Sequence, residues 1–240
     1  MVDATNSDTS NKQPVNILWT GGWDSTFRMI QLAVSGAVIQ PYYVIDTARL
    51  SSLTEIKQMY DIKKDLSHKY KDCEIRDIEL IEISQIDIPD KYVKVQKKLL
   101  KESYIGSQYI WLAALSEQIE DLELSIHKDD TAEYFVRKLV NNEKGPDSDE
   151  YTIFGRLKFP ILDYTKPEME EEAKTTGDLD ILYKSWFCHK PINNTPCGIC
   201  NPCRYTIAEG MGKRFTIRGR IYNKAPRLLT LTRKVVHRLI

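Results

Sequence analysis

From residue 15 onward, short apolar runs alternate with longer stretches in which apolar residues recur every three or four positions. The runs fit buried strands and the stretches fit amphipathic helices. Ile17, Leu18 and Trp19 form the first run; Phe27, Met29, Ile30, Ala33 and Val34 supply the first helical face, and Gly36 is placed to stop that helix. A second strand is expected over residues 39–45, with Pro41 near its start, then a charged amphipathic helix over 53–70 and a strand over 74–83. A lysine-rich helix over 88–104 follows, and residues 105–108 open another whose Tyr109, Leu112, Ala113 and Leu115 face inward. Residues 122–127 suit a strand, and a helix runs through Phe135 and Leu139. Residues 141–150 suit a polar loop, and 153–162 a last strand region broken by Pro160. Thr165 and Glu168 form a capping box for a helix reaching residue 176. This alternation predicts an α/β fold: an open parallel sheet with helices on both faces. No internal repeat is present.

The turn after the first run is rich in chemistry. Trp19-Thr20-Gly21-Gly22-Trp23-Asp24-Ser25-Thr26 places two glycines between a strand and a helix start. Glycine permits backbone angles that a Cβ resists, and Asp, Ser and Thr are favoured at helix N-termini. Such a turn aims backbone N–H groups, the positive helix end and hydroxyls at one spot, which suits a phosphate chain. The bland alternative is an ordinary strand–turn–helix corner. A Walker A loop is excluded, because no GxxxxGK[ST] is present. At the end of the second strand, Asp46 and Arg49 are candidate ligand contacts, with a solvated ion pair as the alternative.

Four of the five cysteines, Cys188, Cys197, Cys200 and Cys203, follow the spacing C-x8-C-x2-C-x2-C. In a cytoplasmic chain these would not persist as disulfides. They fit a closed, structural four-cysteine zinc site, with an iron–sulfur cluster as the alternative. Cys73 stands alone in a charged stretch, and His189 is read as a bystander.

Composition sets limits. A chain of 240 residues with 42% hydrophobic content suits one sizeable α/β domain plus a small appendage. No apolar run approaches the ~18–20 residues of a membrane span, and residues 1–14 lack the apolar core of a signal peptide. A cytoplasmic protein with a disordered lead-in is expected. Net charge is zero, yet residues 204–240 hold ten Lys/Arg and one acid, leaving 24 basic and 33 acidic residues before them. That tail suits docking on an acidic surface or an anionic partner, with Leu228, Leu229, Leu231, Val235, Val236, Leu239 and Ile240 as an apolar face and Arg227, Arg233, Lys234 and Arg238 outside; a solvated surface is the alternative.

The glycine turn resembles the SGGxDS loop of the PP-loop ATP pyrophosphatases, with Thr20 in place of the first serine. The combination with Cys197-Gly198-Ile199-Cys200-Asn201-Pro202-Cys203-Arg204 narrows the resemblance to the 7-cyano-7-deazaguanine synthases, over residues 15–204. Phe159-Pro160-Ile161-Leu162 and Thr165-Lys166-Pro167-Glu168 resemble that family's proline-containing strand and following helix start. The resemblance implies an adenine nucleotide alpha-hydrolase-like domain over residues 15–185 and a zinc module with a basic tail over 186–240. It implies ATP, Mg²⁺ and Zn²⁺ as cofactors, and an AMP-forming ligase that adenylates 7-carboxy-7-deazaguanine and passes it to ammonia, ending in a nitrile. Leu18, Trp19, Thr20, Gly21, Gly22, Trp23, Asp24, Ser25 and Thr26 would form the nucleotide loop, Asp46 and Arg49 would add contacts, and Asp24, Ser25 and Lys166 would serve catalysis. Trp186, Phe187 and Asp130 would meet the base, and Arg49 its carboxylate. A homodimer is implied.

Three stretches depart from the family. Tyr104-Ile105-Gly106-Ser107-Gln108 replaces a Pro-Gly-Arg-Asn segment, Ile126-His127-Lys128-Asp129-Asp130 replaces an acidic and aromatic one, and Trp23 fills a position usually smaller. These leave other readings open: coupling of the acid to a protein or another amine, as in phage-defence or surface-polysaccharide contexts, a tRNA-modifying thiolase, or a nucleotide-binding subunit without catalysis. Against the thiolase, only Cys73 would remain to carry sulfur.

Overall fold

The computed structural model describes residues 13–47 and 49–224. The lead-in through residue 12 and the apolar face expected beyond residue 224 lie outside the described residues.

The chain enters β1 (Val15–Leu18), turns into α1 (Trp23–Val34) and returns in β2 (Val38–Ile45). α2 (Ser52–Lys69) leads to the short β3 (Glu74–Ile75) and β4 (Glu79–Glu82). β2 lies at the centre, with β1 on one side and β3 and β4 on the other, all parallel. Beyond β1 the sheet continues through single parallel bridges from Ile17 to Glu123 and from Glu123 to Lys158. The helices that follow are α3 (Asp90–Leu99), α4 (Gln108–Leu115), α5 (Glu133–Val140), α6 (Asp149–Phe154), α7 (Lys166–Thr175), α8 (Leu179–Leu182), α9 (Asn201–Ala208) and α10 (Ile217–Lys224). Among the described residues, no helix is long and apolar enough to cross a membrane.

Successive strand residues face opposite sides, so one strand feeds two cores. Ile17 and Trp19 of the first run pack with Ile39, Tyr43 and the faces of α1, α2 and α7 around Phe27, Met59 and Met169. Leu18 and Val44 pack on the other side with α3, α4, α5 and α6 around Tyr92, Leu112, Phe135 and Phe154. The fold is therefore α/β, with a parallel sheet and helices on both faces. Each fully buried Leu, Ile or Phe contributes roughly 1.5–3 kcal/mol to holding these layers. A third buried group gathers Trp186, Cys188, Cys197, Cys203 and Phe215.

Several elements differ from the sequence pattern. The strand expected over 74–83 is two pieces, and the interruption faces Pro41 of β2. Arg76 donates to the Ile39 carbonyl on that edge, and Pro41, two residues on, points the same way without an N–H to give. The Gln40 amide fills the gap by donating to the Asp77 carbonyl at 3.1 Å. Ile153 belongs to α6, because Ser148 caps that helix by accepting from the Tyr151 N–H at 3.1 Å. The strands expected over 122–127 and 153–162 reduce to the single bridges at Glu123 and Lys158, and residues 155–156 and 160–162 are turns. α3 is shorter than its periodic pattern at both ends: it begins directly after Pro89 and gives way to a turn after Leu99. Asp24, Ser25 and Thr26 do not cap α1: Gly22 holds that position, with ψ near 173°, and the three lie in the first turn.

Candidate active site and metal centre

The carboxyl ends of β1 and β2 and the 122–127 run open on one side of the sheet, where ligands of open α/β sheets sit. There the glycine turn forms the floor of a cleft of about 990 Å³. Thr20, Gly22, Trp23, Asp24, Arg49, Asp130, Lys166, Trp186 and Phe187 all line it, so most residues singled out from the sequence converge. Leu18, Trp19, Gly21, Ser25 and Thr26 are buried or lie beneath that surface, and Asp46 is not part of the lining.

The turn is held by its own side chains. Gly21 has φ +68°, and a Cβ there would meet Met59 Cγ at 3.0 Å. The Thr20 N–H donates to Ser25 Oγ at 3.3 Å, and the two hydroxyls lie 3.2 Å apart. The Gly22 N–H reaches Thr20 Oγ1 at 3.4 Å, and the Trp19 indole donates to Thr26 Oγ1 at 3.2 Å. Ser25 and Thr26 therefore brace the turn from below, while Thr20 is exposed in the cleft.

Asp24 points into the cleft, and one of its oxygens, Oδ1, is buried without a hydrogen bond among the described residues. Burial raises its pKa above the ordinary carboxylate value, while His127 and Lys166 pull the other way. His127 Nε2 lies 3.7 Å from that oxygen. The Asp129 N–H donates to His127 Nδ1 at 3.2 Å, which selects the tautomer with its proton on Nε2, facing Asp24. Lys166, the first residue of α7, is fixed by the capping box of Thr165 and Glu168. It reaches across the cleft to Glu209 at 2.7 Å. Arg49 is tied to Glu55 at 2.6 Å, and Glu55 also accepts from Tyr43 at 2.6 Å and Ser51 at 2.7 Å.

His127, Glu209, Gln108 and Arg214 also line the cleft without having been marked as site residues. The rule about strand ends would have found His127. Gln108 lies in the segment that departs from the resembled family. Glu209 and Arg214 carry no local signal, because only the tertiary fold brings them to the glycine turn.

The four cysteine sulfurs all lie within 4.8 Å of one another. Cys197 and Cys203 are 3.8 Å apart and Cys188 and Cys200 are 4.0 Å apart, close to the about 3.8 Å edge of a tetrahedron with Zn–S bonds near 2.3 Å. The Ile199 and Cys200 N–H groups both point to Cys197 Sγ at 3.4 Å, and the Cys197 N–H to Cys188 Sγ at 3.2 Å. These donors stabilise thiolates. Gly198 makes the knuckle possible: its φ is +77°, and a Cβ would lie 1.9 Å from the Gly219 carbonyl. The group can hold a metal ion such as zinc. Cys200 and Ile199 line the cleft, so the metal centre forms part of its wall. Cys73 lies elsewhere, with burial pushing its thiol up to about 11.

No family model matches this sequence, and no curated protein matches it. Among solved structures, the chain is similar to one described as a predicted subunit of tRNA methyltransferase from Methanocaldococcus jannaschii DSM. The TM-score is 0.35 and the identity 14%, over 68% of this chain and 74% of that one. At that score the likeness bears on neither fold nor function.

Proposed function

We propose that this chain is a PP-loop ATP pyrophosphatase acting as an AMP-forming ligase, with residues 15–185 as the ATP-binding unit and 186–240 as the zinc module and tail. The observation that carries the reading is the glycine turn on the cleft floor, with Asp24 and Lys166 facing the same space. Thr20, Gly21 and Gly22 cradle the β- and γ-phosphates at the N-terminus of α1, with Ser25 and Thr26 bracing them. A carboxylate oxygen of the acid attacks the α-phosphorus, the bond to the bridging oxygen breaks, and pyrophosphate leaves. An amine then attacks the acyl carbon and AMP departs. The protein's part is positioning and charge stabilisation. Asp24 suits Mg²⁺, which is commonly held by one or two carboxylates plus substrate phosphates, and its unbonded buried oxygen is the donor available. Bound there, the ion would neutralise charge on the leaving pyrophosphate. Zinc on the four cysteines has no open position and serves structure.

The resemblance in sequence makes 7-carboxy-7-deazaguanine the first acid to test, with ammonia as the amine and a protein amine as the alternative acceptor. The test is ATP–pyrophosphate exchange and AMP release across a panel of carboxylic acids that includes it. Acid-dependent exchange with AMP as product is expected. A nitrile product with ammonia, formed when a second ATP activates the amide oxygen and AMP leaves with it, supports the synthase form, and an amide formed only when a protein is added supports conjugation. Cleavage of ATP to ADP and phosphate overturns the reading.

A further inference from the structure

The cleft wall holds four fixed cations besides its histidines. Arg49 is neutralised by Glu55 and Lys166 by Glu209, each within 2.7 Å, and Lys190 is exposed. Arg214 differs. It closes the short turn Gly212–Arg214, anchored by the next residue, Phe215, which is buried in the metal-centre core. Its guanidinium carbon lies 4.6 Å from the centroid of Phe187 and 5.3 Å from that of Trp23. Nη2 donates to the Ser185 carbonyl and, at 2.8 Å, to Ser185 Oγ. Among the described residues, no carboxylate pairs with it, and its Nη1 and Nε donors carry no hydrogen bond. Burial pushes its pKa down to about 10, although Tyr183, Glu209 and Glu170 pull the other way from a distance.

Arg214 also stands between two spaces. With Trp186 and Phe187 it lines both the large cleft and a neighbouring cavity of about 440 Å³ that contains Tyr183. The neighbouring rings and the Ser185 bonds hold its plane and leave the Nη1 and Nε donors for an anion. A carboxylate would answer that unpaired charge in a charge-assisted pair, and the aromatic walls select a flat body behind it. Trp23 belongs to the glycine turn, so an anion at Arg214 lies beside the phosphate site.

We propose that Arg214 receives the carboxylate of the acid to be adenylated, that the acid is planar and aromatic, and that its body occupies the space walled by Trp186 and Phe187. This rests on the ligase reading, and it moves the carboxylate contact from Arg49, which Glu55 already holds, to Arg214. The test uses the full chain with its metal. Indole-3-carboxylate and the neutral indole-3-carboxamide are titrated separately by calorimetry or tryptophan fluorescence, against wild type, R214Q and R214K. The wild type should prefer the carboxylate. R214Q should bind it at least about tenfold more weakly, and R214K should fall between, because lysine keeps the charge but not the planar array of donors held by Ser185 and the rings. Dissociation constants for ATP should change less than about threefold, as the guanidinium is not part of the phosphate turn. No preference for the carboxylate in wild type, or equal binding by both variants, overturns the proposal. So does a loss confined to ATP, which would assign the guanidinium to the nucleotide. Failure of the wild type to bind ATP would instead count against the ligase reading and leave the carboxylate result standing. Circular dichroism checks folding, and R214K decides if R214Q does not fold.

Discussion

The Asp24 carboxyl rests on the cleft floor with one buried oxygen that accepts no hydrogen bond among the described residues. Water is displaced from it, and its pKa is raised chiefly for that reason. The folded chain thus binds a proton at Asp24 more readily than the unfolded chain does. Stability contributed by this group is fully present below the ordinary carboxylate value of 3.8, declines as pH rises toward the raised value, and stays lost above it. At pH 7, well above 3.8, this group therefore costs stability. Asp24→Asn should remove AMP formation and raise the melting temperature of ligand-free protein at pH 7. A relief of about 1 kcal/mol would appear as roughly 2–4 °C in a chain of this size. The gain should shrink as pH approaches 4, and thermal melts across pH check it; a loss of stability at pH 7 would contradict the burial argument. Asp24 was legible in the sequence because its chemistry is local: acid, hydroxyls and glycines stand in one run. Arg214 and Glu209 were not, because a side chain on a distant element becomes a neighbour only through the fold; His127, at a strand end, was within reach of the rule for open sheets.

Among the elements, capping and turn signals transferred well and strand lengths did not. The box of Thr165 and Glu168 was readable from four residues, since it depends only on local hydrogen bonds: Glu168 Oε2 accepts from the Thr165 N–H at 2.8 Å and from its hydroxyl at 2.6 Å. The break between β3 and β4 was not, because it answers a missing donor on Pro41 of another strand. Ile153 looked like strand in an apolar run, yet the cap at Ser148 and the buried faces of Ile153 and Phe154 settle it as helix. The capping box also positions Lys166 as the first residue of α7. Thr165→Ala should cost about 1 kcal/mol of stability and loosen that lysine. ATP affinity should fall with it, by several-fold, while Thr176→Ala at the other end of the same helix leaves affinity unchanged. Unaltered ATP binding in Thr165→Ala, measured by calorimetry, would show that Lys166 does not contact phosphate.

For the whole molecule, one residue ties the glycine turn directly to the metal centre. The Trp186 N–H donates to the Gly21 carbonyl at 2.7 Å, and the Trp186 indole donates to the Cys188 carbonyl at 2.7 Å. One residue thus links the glycine turn to the backbone of a metal ligand. Side chains around the cysteines are few, with Phe215 and Trp186 the main buried apolar groups. So small a core would rely on a bound metal to stay folded. The cysteine spacing made the site readable, but the joint was not, because it is a backbone bond between distant segments. Metal removal should therefore act in two ways. Elemental analysis should find one zinc per chain in protein purified without chelator. Stripping it should unfold the segment around Cys188–Cys203, seen as a new low-temperature transition and a shift in tryptophan emission from Trp186. It should also weaken ATP binding, because the turn loses its brace at Gly21. Gly198→Ala should reproduce both effects without chelator, since its Cβ cannot coexist with the Gly219 carbonyl 1.9 Å away. Readdition of zinc should restore stripped wild type and fail to restore Gly198→Ala. Metal-free protein that melts as one transition and binds ATP as before would separate the two sites and break the link through Trp186.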